Sequence, residues 1–494
     1  MRRAPLIVLA LCAFLGACAG VGAAEPHRRD DTDAEGREAR QAGDAARATP
    51  GGVDYDAAAR EVRDVLATLV AVDTSNPPGN EARAVAIGGE RLRAAGIAFE
   101  VTDFAPGRQN LVARLHGDGR EPPLLLLAHS DVVGAGGQPW TSDPHVMTER
   151  DGYLTGRGVD DDLGMATVAL EVVLLLQRQG TPLRRDVILA WTGDEESGGA
   201  GVRWLLANRP ETIHAALALN EGGGVILDDG GRVKFASLQT AEKTYQDFEV
   251  TARGPTGHSS VPLAENAIYE LAAGLDRLGR YRFPARLLPV TRAYFGARAA
   301  VEEPELARAM RAVAASKGTP ARAPLAILDR DPTLAASLRT TCVATTIGGG
   351  TGRNALPAEA TANVNCRILP DETPADVQRT LTGVLADARL QVRATDEFGR
   401  AEPSPLDGEG PTAVRRVLDA MWPGVPIVPF MSRGATDSRY LRAAGIPAYG
   451  ISPIATTELD ARRAHGVDER IPVVSLRTGV EFFHRLVLEL AAER

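Results

Sequence analysis

Three short runs of this chain are apolar at nearly every position: LLLLA at 124–128, VILAWT at 187–192 and AALAL at 215–219. A strand buried on both faces reads this way, because neither face meets water, and such strands belong to parallel sheets covered by helices. Helical spacing surrounds them. Residues 57–72 set apolar positions three and four apart, 80–95 read as a second helix, and 165–179 as a strongly apolar third. Buried strands alternating with helices predict a doubly wound α/β domain. Near Lys243 the period changes. Residues 245–252 alternate as a one-sided strand, 265–278 read as a helix, strand-like runs follow at 340–347 and 361–369, and 374–388 are helical. That is the pattern of a separate α+β unit. After Glu402 the first pattern returns, with a helix at 412–421, a strand at 446–451 and a final helix at 474–490. The expected fold class is α/β: a doubly wound mixed-sheet domain built from 53–241 and 401–494, with an α+β domain, 242–400, inserted into it.

Length agrees with this division, since 494 residues exceed what one core usually organises. A formal net charge of −9 without a long Lys/Arg tract argues against a nucleic-acid partner. The first residues change the picture more. Arg2 and Arg3 precede an apolar run from Pro5 to Leu15, short for a bilayer span and suited to the core of a secretion signal, so 1–24 are read as that signal. Leu15-Gly16-Ala17-Cys18 resembles a bacterial lipobox, which makes Cys18 the lipidated first residue of an exported, periplasmic, membrane-anchored protein. Cleavage after Ala24, leaving a free periplasmic protein, and an uncleaved anchor are the alternatives. Residues 25–52 offer almost nothing to bury and are expected as a disordered tether. Cys342 and Cys366 lie on strand-like runs joined by a Gly-rich loop. Antiparallel pairing sets them opposite each other, either as a disulfide or as two buried thiols.

The apolar strands run into polar clusters: His129-Ser-Asp131, Asp194-Glu195-Glu196 and Asn220-Glu221. Ligands gather outside the carboxyl ends of strands in open α/β sheets, so an imidazole and several carboxylates are expected at one sheet edge. Hydrolytic metal sites are built from such sets. Further along come Gly156-Arg-Gly-Val-Asp-Asp161-Asp-Leu-Gly164, Gly257-His258 and His465.

This ordered series resembles the co-catalytic di-zinc metallopeptidase family of aminoacylases, glutamate carboxypeptidase, acetylornithine deacetylase, succinyl-diaminopimelate desuccinylase and carboxypeptidase S. The resemblance runs from about residue 55 to the C-terminus. It implies that the inserted domain is a lid and a homodimerisation surface. It also implies two zinc ions, with cobalt or manganese accepted by the same donors. By motif, His129, Asp161, Glu196, Glu221 and His465 become the metal ligands, with Asp161 bridging. Asp131 becomes the carboxylate that orients the His129 ring, and Glu195 the general base. Gly254-Pro-Thr-Gly257-His258 resembles the lid motif whose histidine neutralises the oxyanion, in some relatives from the partner subunit. Asn354 and Arg367 match substrate-gripping positions, and Arg433 and Gly434 belong to a loop that lines the site. Relatives usually carry Lys at Leu163, and Gly where Arg433 stands; Arg433 reads equally as a specificity residue or a rim charge.

Taken singly, His129 reads as a satisfied strand-end histidine, Glu195-Glu196 as a solvated turn, and Asp160 to Asp162 as an N-cap cluster. Independent turns have no reason to reproduce the whole ordered series at strand ends, and the joint reading is functional. His27, His116, His145, His214 and His484 read as surface or structural, and the Gly222–224 and 348–350 runs as turns. The loop with Thr436-Asp437, Tyr449-Gly-Ile-Ser-Pro453 and His465-Gly-Val-Asp-Glu469 most resembles the carboxypeptidase S branch. The expected activity is metal-dependent cleavage of an amide next to a free carboxylate, first as a carboxypeptidase on short peptides and next as an N-acyl amino acid amidohydrolase. A biosynthetic deacylase and a non-catalytic binding lipoprotein stand as more distant alternatives.

Overall fold

The chain first lays down β1 (Phe99–Ala105), β2 (Arg108–Leu115), β3 (Leu124–His129), β4 (Val187–Thr192), β5 (Leu217–Leu227) and β6 (Val233–Glu242). It leaves for β7 (Thr244–Arg253), β8 (Thr341–Gly349), β9 (Glu359–Ile368) and β10 (Leu390–Ala394), then returns with β11 (Ile427–Ser432) and β12 (Ala448–Thr457). This is a computed structural model that describes residues 52–395 and 401–493. The signal, the lipobox at Cys18 and the tether up to residue 51 lie outside the described residues.

Eight strands form one sheet in the order β11-β6-β12-β5-β3-β4-β2-β1, and four form another in the order β8-β9-β7-β10. In the large sheet β3 pairs parallel with β4 and β5, and β12 parallel with β5, while β2 pairs antiparallel with β1 and β4. The sheet is therefore mixed and α/β, as its sequence pattern predicts. Every residue of β3 and β4 is buried. Leu124 and Leu126 enter the core beneath helices Tyr55–Ala71, Leu163–Gln179 and Val474–Ala491. Leu125 and Leu127 enter a smaller core on the other face with Val202, Leu205 and Leu441. Coverage on both faces explains an unbroken apolar run. Each such leucine contributes roughly 1.5–3 kcal/mol by leaving water.

The smaller sheet has its own core, in which Phe248, Val250 and Val364 pack on Leu271 and Leu381. Cys342 on edge strand β8 faces Cys366 on β9, and a disulfide joins them with Cα atoms 4.1 Å apart. Between β7 and β8 the chain also builds the helices Pro289–Arg298, Pro304–Ala314, Arg322–Leu328 and Pro332–Ser337 around a further core. The first of these packs on β11 at the edge of the large sheet. The helix beginning at Pro374 ends at Leu385, earlier than its apolar spacing implies, because Ala386 turns into the left-handed region at φ 47°.

Candidate active site

Two strand ends and one strand interior deliver the chemistry, because the third strand runs on past Leu219, where its apolar pattern stops. His129 closes β3, Asp194 to Glu196 follow β4, and Glu221 lies within β5. Asp194 adopts φ 69°, a left-handed conformation that an L-residue takes at a cost of about 1 kcal/mol. Its surroundings hold it there. Asp194 accepts from Arg108 Nη1 at 2.7 Å and Asn76 Nδ2 at 3.1 Å, its carbonyl accepts from Gly198 N at 2.9 Å, and its N–H donates to buried Glu81 at 3.2 Å. The turn carries Glu195 and Glu196 into different neighbourhoods. Glu196 Oε2 lies 3.0 Å from His465 Nε2, whereas an oxygen of Glu195 groups with His129 and Glu221, their donor atoms all within 4.8 Å of one another.

Asp161 sits between two imidazoles. Its Oδ1 is 3.2 Å from His129 Nε2 and its Oδ2 is 3.0 Å from His465 Nε2. The loop that presents it is organised by Glu469, a fully buried carboxylate. Glu469 pairs with Arg157 at 2.7 Å and accepts from the N–H groups of Gly158, Asp160 and Asp161 at 3.1, 2.9 and 3.0 Å.

Asp131 differs in detail from its expected role. Its carboxylate lies 3.7 Å from His129 Nδ1, and the ring donates instead to the Asp131 backbone carbonyl at 2.9 Å. The carboxylate is taken up by the N–H groups of Glu195 and Glu196, at 3.1 and 3.2 Å, and by Asn76 Nδ2 at 2.8 Å. Asp131 thus fixes the ring through its main chain and the two glutamates through its side chain. A carbonyl can only accept, so Nδ1 carries a proton, while Nε2 lies within hydrogen-bond reach of the Asp161 carboxylate and donates to it when the ring is charged.

Burial opposes ionisation throughout the cluster. It pushes Glu195 and Glu221 well above the usual carboxylate range, and neighbouring carboxylates add to it. Asp161 goes the other way: burial raises it, but hydrogen bonds to His129 and His465 outweigh burial and hold it below that range. His465 is pushed up to about 10 by Asp161 and Glu196. Two imidazoles therefore face a larger number of carboxylates. Glu196 Oε1 is buried and finds no donor among the described residues. Such an oxygen is costly unless a cation or proton reaches it. Donor atoms of His129, Asp161 and Glu196 lie within 4.8 Å of one another, as do those of His129, Glu195 and Glu221, and His465 Nε2 is 3.0 Å from both Asp161 and Glu196, a donor set that fits divalent ions.

A cavity of about 450 Å³ opens beside the cluster, lined by Glu195, Glu196 and His465 from the large-sheet side and by Tyr245, Asp247 and Arg367 from the smaller sheet. Gly434 to Asp437, Arg439 and Tyr440 complete it. Arg367 lies over the Tyr245 ring at 4.7 Å and donates to the Arg433 carbonyl at 3.5 Å. Arg433 itself lines a neighbouring cavity and not this one. His258, on a two-stranded ribbon, and Asn354, in the turn just before the ribbon's second strand, are both exposed, and Ser259 N donates to the Asn354 carbonyl at 2.9 Å. Neither lines the cavity.

The sequence profile described as peptidase family M20/M25/M40 matches residues 125–489. The chain belongs to the M20 peptidase family. Among curated relatives, human N-fatty-acyl-amino acid synthase/hydrolase PM20D1 is 31% identical over 384 residues, covering 74% of this chain and 73% of that protein. The probable carboxypeptidase S-like 2 of Dictyostelium discoideum is 27% identical over 388 residues, covering 74% and 71%. The M20 family metallo-carboxypeptidase Sso-CP2 from Sulfolobus solfataricus shares the fold at TM-score 0.65 and 18% identity, over 86% of this chain and 98% of that one. The protein is thus an M20 metallo-hydrolase of amide bonds. Three supports of this M20 site carried no role in the sequence reading: Glu469, Asn76, and the pair of Glu81 with Arg108. Glu469 stands four residues after His465 and was visible as an acid near a candidate ligand. Asn76, Glu81 and Arg108 come from a two-residue strand, a helix start and the first position of β2, and no spacing links them to the polar clusters.

Proposed function

We propose that the protein hydrolyses the amide joining an acyl group to an amino acid with a free carboxylate, with N-acyl amino acids as first substrates and short peptides second. The observation that carries this reading is the Asp161 carboxylate between two imidazoles, with Glu195 alongside and Arg367 facing the same cavity. The activity named for the human relative moves N-acyl amino acids ahead of peptides, which the motifs alone had put first.

His129, Asp161, Glu196, Glu221 and His465 hold the two ions in this account. When bound, divalent ions there, zinc first and cobalt or manganese by the same donors, supply Lewis acidity and lower the pKa of water from about 15.7 toward about 7. Glu195 takes the proton of the attacking water and returns it to the leaving nitrogen. Arg367 grips the substrate carboxylate, since a planar guanidinium binds both oxygens. Gly434 and the residues after it shape the wall beside that grip.

His258 and Asn354 stand outside the cavity, so their contribution is assigned to a homodimer, in which His258 of one protomer serves the other's oxyanion. Edge strand β8, with Val343 62% and Ile347 64% exposed, and Tyr269, 73% exposed, supports a lid-domain dimer contact. Export with a lipid anchor at Cys18 belongs to the same proposal; palmitate labelling lost in Cys18→Ala tests it. Metal-dependent release of free amino acid from N-acyl amino acids tests the activity, and retention of dimer mass in His258→Ala with loss of turnover tests the shared site.

A further inference from the structure

A second cavity, of about 300 Å³, lies next to the reaction cavity and has a different character. Its floor is one face of the large sheet's edge, where Phe235 on β6 sits opposite Ile226 on β5, and Val428 and Phe430 on β11 sit opposite Ser237 and Gln239. Its roof comes from the helices Pro289–Arg298 and Pro332–Ser337, which the apolar pattern had not revealed. Part of the charge at its margin is paired, and Arg433 and Arg462 add two further cations there. Arg298 stacks on the Phe235 ring at 4.4 Å and pairs with Glu302 and with Glu458. About 300–1,000 Å³ of mostly apolar wall with a few polar groups is what small-molecule sites offer.

Two separate segments run from one cavity into the other. Met431 and Arg433 line the apolar cavity and Gly434 to Asp437 the reaction cavity, while Ala461 and Arg462 line the former and His465 the latter. Three residues of chain span at most roughly 10 Å. The reaction cavity is rich in charge, with Glu195, Asp247, Arg367, Arg439 and His465 on its walls, whereas the neighbour has an apolar floor of Ile226, Phe235, Val428, Phe430 and Met431 and keeps its charges, Arg298, Arg433, Glu458 and Arg462, in the rest of its lining. Adjoining charged and apolar cavities are complementary to an amphiphile whose carboxylate end and tail lie on opposite sides of the reacting bond.

We propose that the cavity bounded by Ile226, Phe235, Val428 and Phe430 is the subsite for a long acyl chain, so that the preferred substrates are N-acyl amino acids with medium or long saturated tails. This rests on the amide-hydrolase reading above and adds the specificity determinant to it. Acetyl and butyryl groups end short of the subsite, and octanoyl and longer chains enter it.

The test is kcat/KM over a series of N-acyl phenylalanines from acetyl through butyryl, octanoyl and dodecanoyl, for the wild-type holoenzyme and two variants. Thr333→Trp narrows the cavity from its exposed roof, and Phe430→Ala strips its floor. In the wild type the specificity constant rises beyond butyryl by about fourfold per methylene that enters. In both variants the dodecanoyl-to-acetyl ratio falls at least about tenfold, a ratio that a smaller folded fraction does not move. Efficient cleavage of acetyl and butyryl substrates with a flat profile beyond them overturns the subsite and leaves the hydrolase reading standing. A ratio unchanged in both variants also overturns it. Inactivity on the whole series overturns the underlying reading, and the subsite with it.

Discussion

Arg442→Met should destabilise the protein more than any exposed arginine change, because of what it leaves behind. Arg442 Nη1 meets Glu242 Oε2 at 2.9 Å with both side chains only 2% exposed. The other Glu242 oxygen accepts from Thr436 N at 2.8 Å, from Thr436 Oγ1 at 2.5 Å and from Gln239 Nε2 at 2.7 Å. This carboxylate thus joins the end of β6 to the loop that lines the reaction cavity. Removing its cation strands a buried charge, which costs about 3–5 kcal/mol. A domain stable by roughly 5–15 kcal/mol loses a large part of its margin. Adding Glu242→Gln removes the charge while leaving an oxygen for Thr436, so the double variant should recover at least about 2 kcal/mol. Urea unfolding followed by far-UV circular dichroism reads both steps as shifts of the midpoint at unchanged slope. KM should rise in the single variant and return toward wild type in the double. A double variant no more stable than Arg442→Met would refute the claim that the stranded charge dominates.

Glu195→Gln should keep two metal equivalents by atomic emission while kcat falls at least about 10²–10⁴-fold, whereas Asp161→Asn should lose metal; the reverse pattern contradicts the role assignment. The disulfide closes a separation of 24 residues, so replacing Cys342 and Cys366 together by Ala should cost about 3.5 kcal/mol, read as a lower urea midpoint. His484 is held near a pKa of about 4, first by burial and then by Arg485, while its Nδ1 meets Tyr55 Oη at 2.9 Å. The unfolded chain takes up this proton below about 6.5 and the folded chain does not, so the stabilisation is whole above that pH and lost as pH falls toward 4. Wild type should lose about 2–3 kcal/mol more than His484→Gln between pH 7 and pH 4 in urea titrations; parallel losses would contradict this.

The parts of the fold that are covered on both faces were legible in the chain. β3 and β4 follow directly from runs with no polar position, and the long helices from their apolar spacing. Strands toward the two edges of the large sheet were not. β1 and β2 at one edge and β6 and β11 at the other lack strict alternation of polar and apolar residues, and their burial is decided by helices elsewhere in the chain, Glu81–Ala94 on β2 and Pro289–Arg298 on β11. The helices between Pro289 and Ser337 are short and interrupted by prolines, so no periodic stretch is long enough to declare them. In the site, residues at strand ends were legible because position and chemistry coincide there. The inner supports were not: the Asp131 carboxylate serves main-chain N–H groups, and an N–H has no signature in sequence. The separation of His258 from the cavity is likewise tertiary, set by where β7 and the ribbon carry it.

The most direct test of the central claim is release of free amino acid by the purified protein, stripped of metal and then reloaded, from N-acyl amino acids and dipeptides with and without Zn²⁺, Mn²⁺ or Co²⁺. The account predicts turnover only with metal, on substrates that keep a free carboxylate, and its loss when that carboxylate is amidated. Folded protein that holds two ions yet releases nothing, or turnover indifferent to both metal and carboxylate, would contradict it.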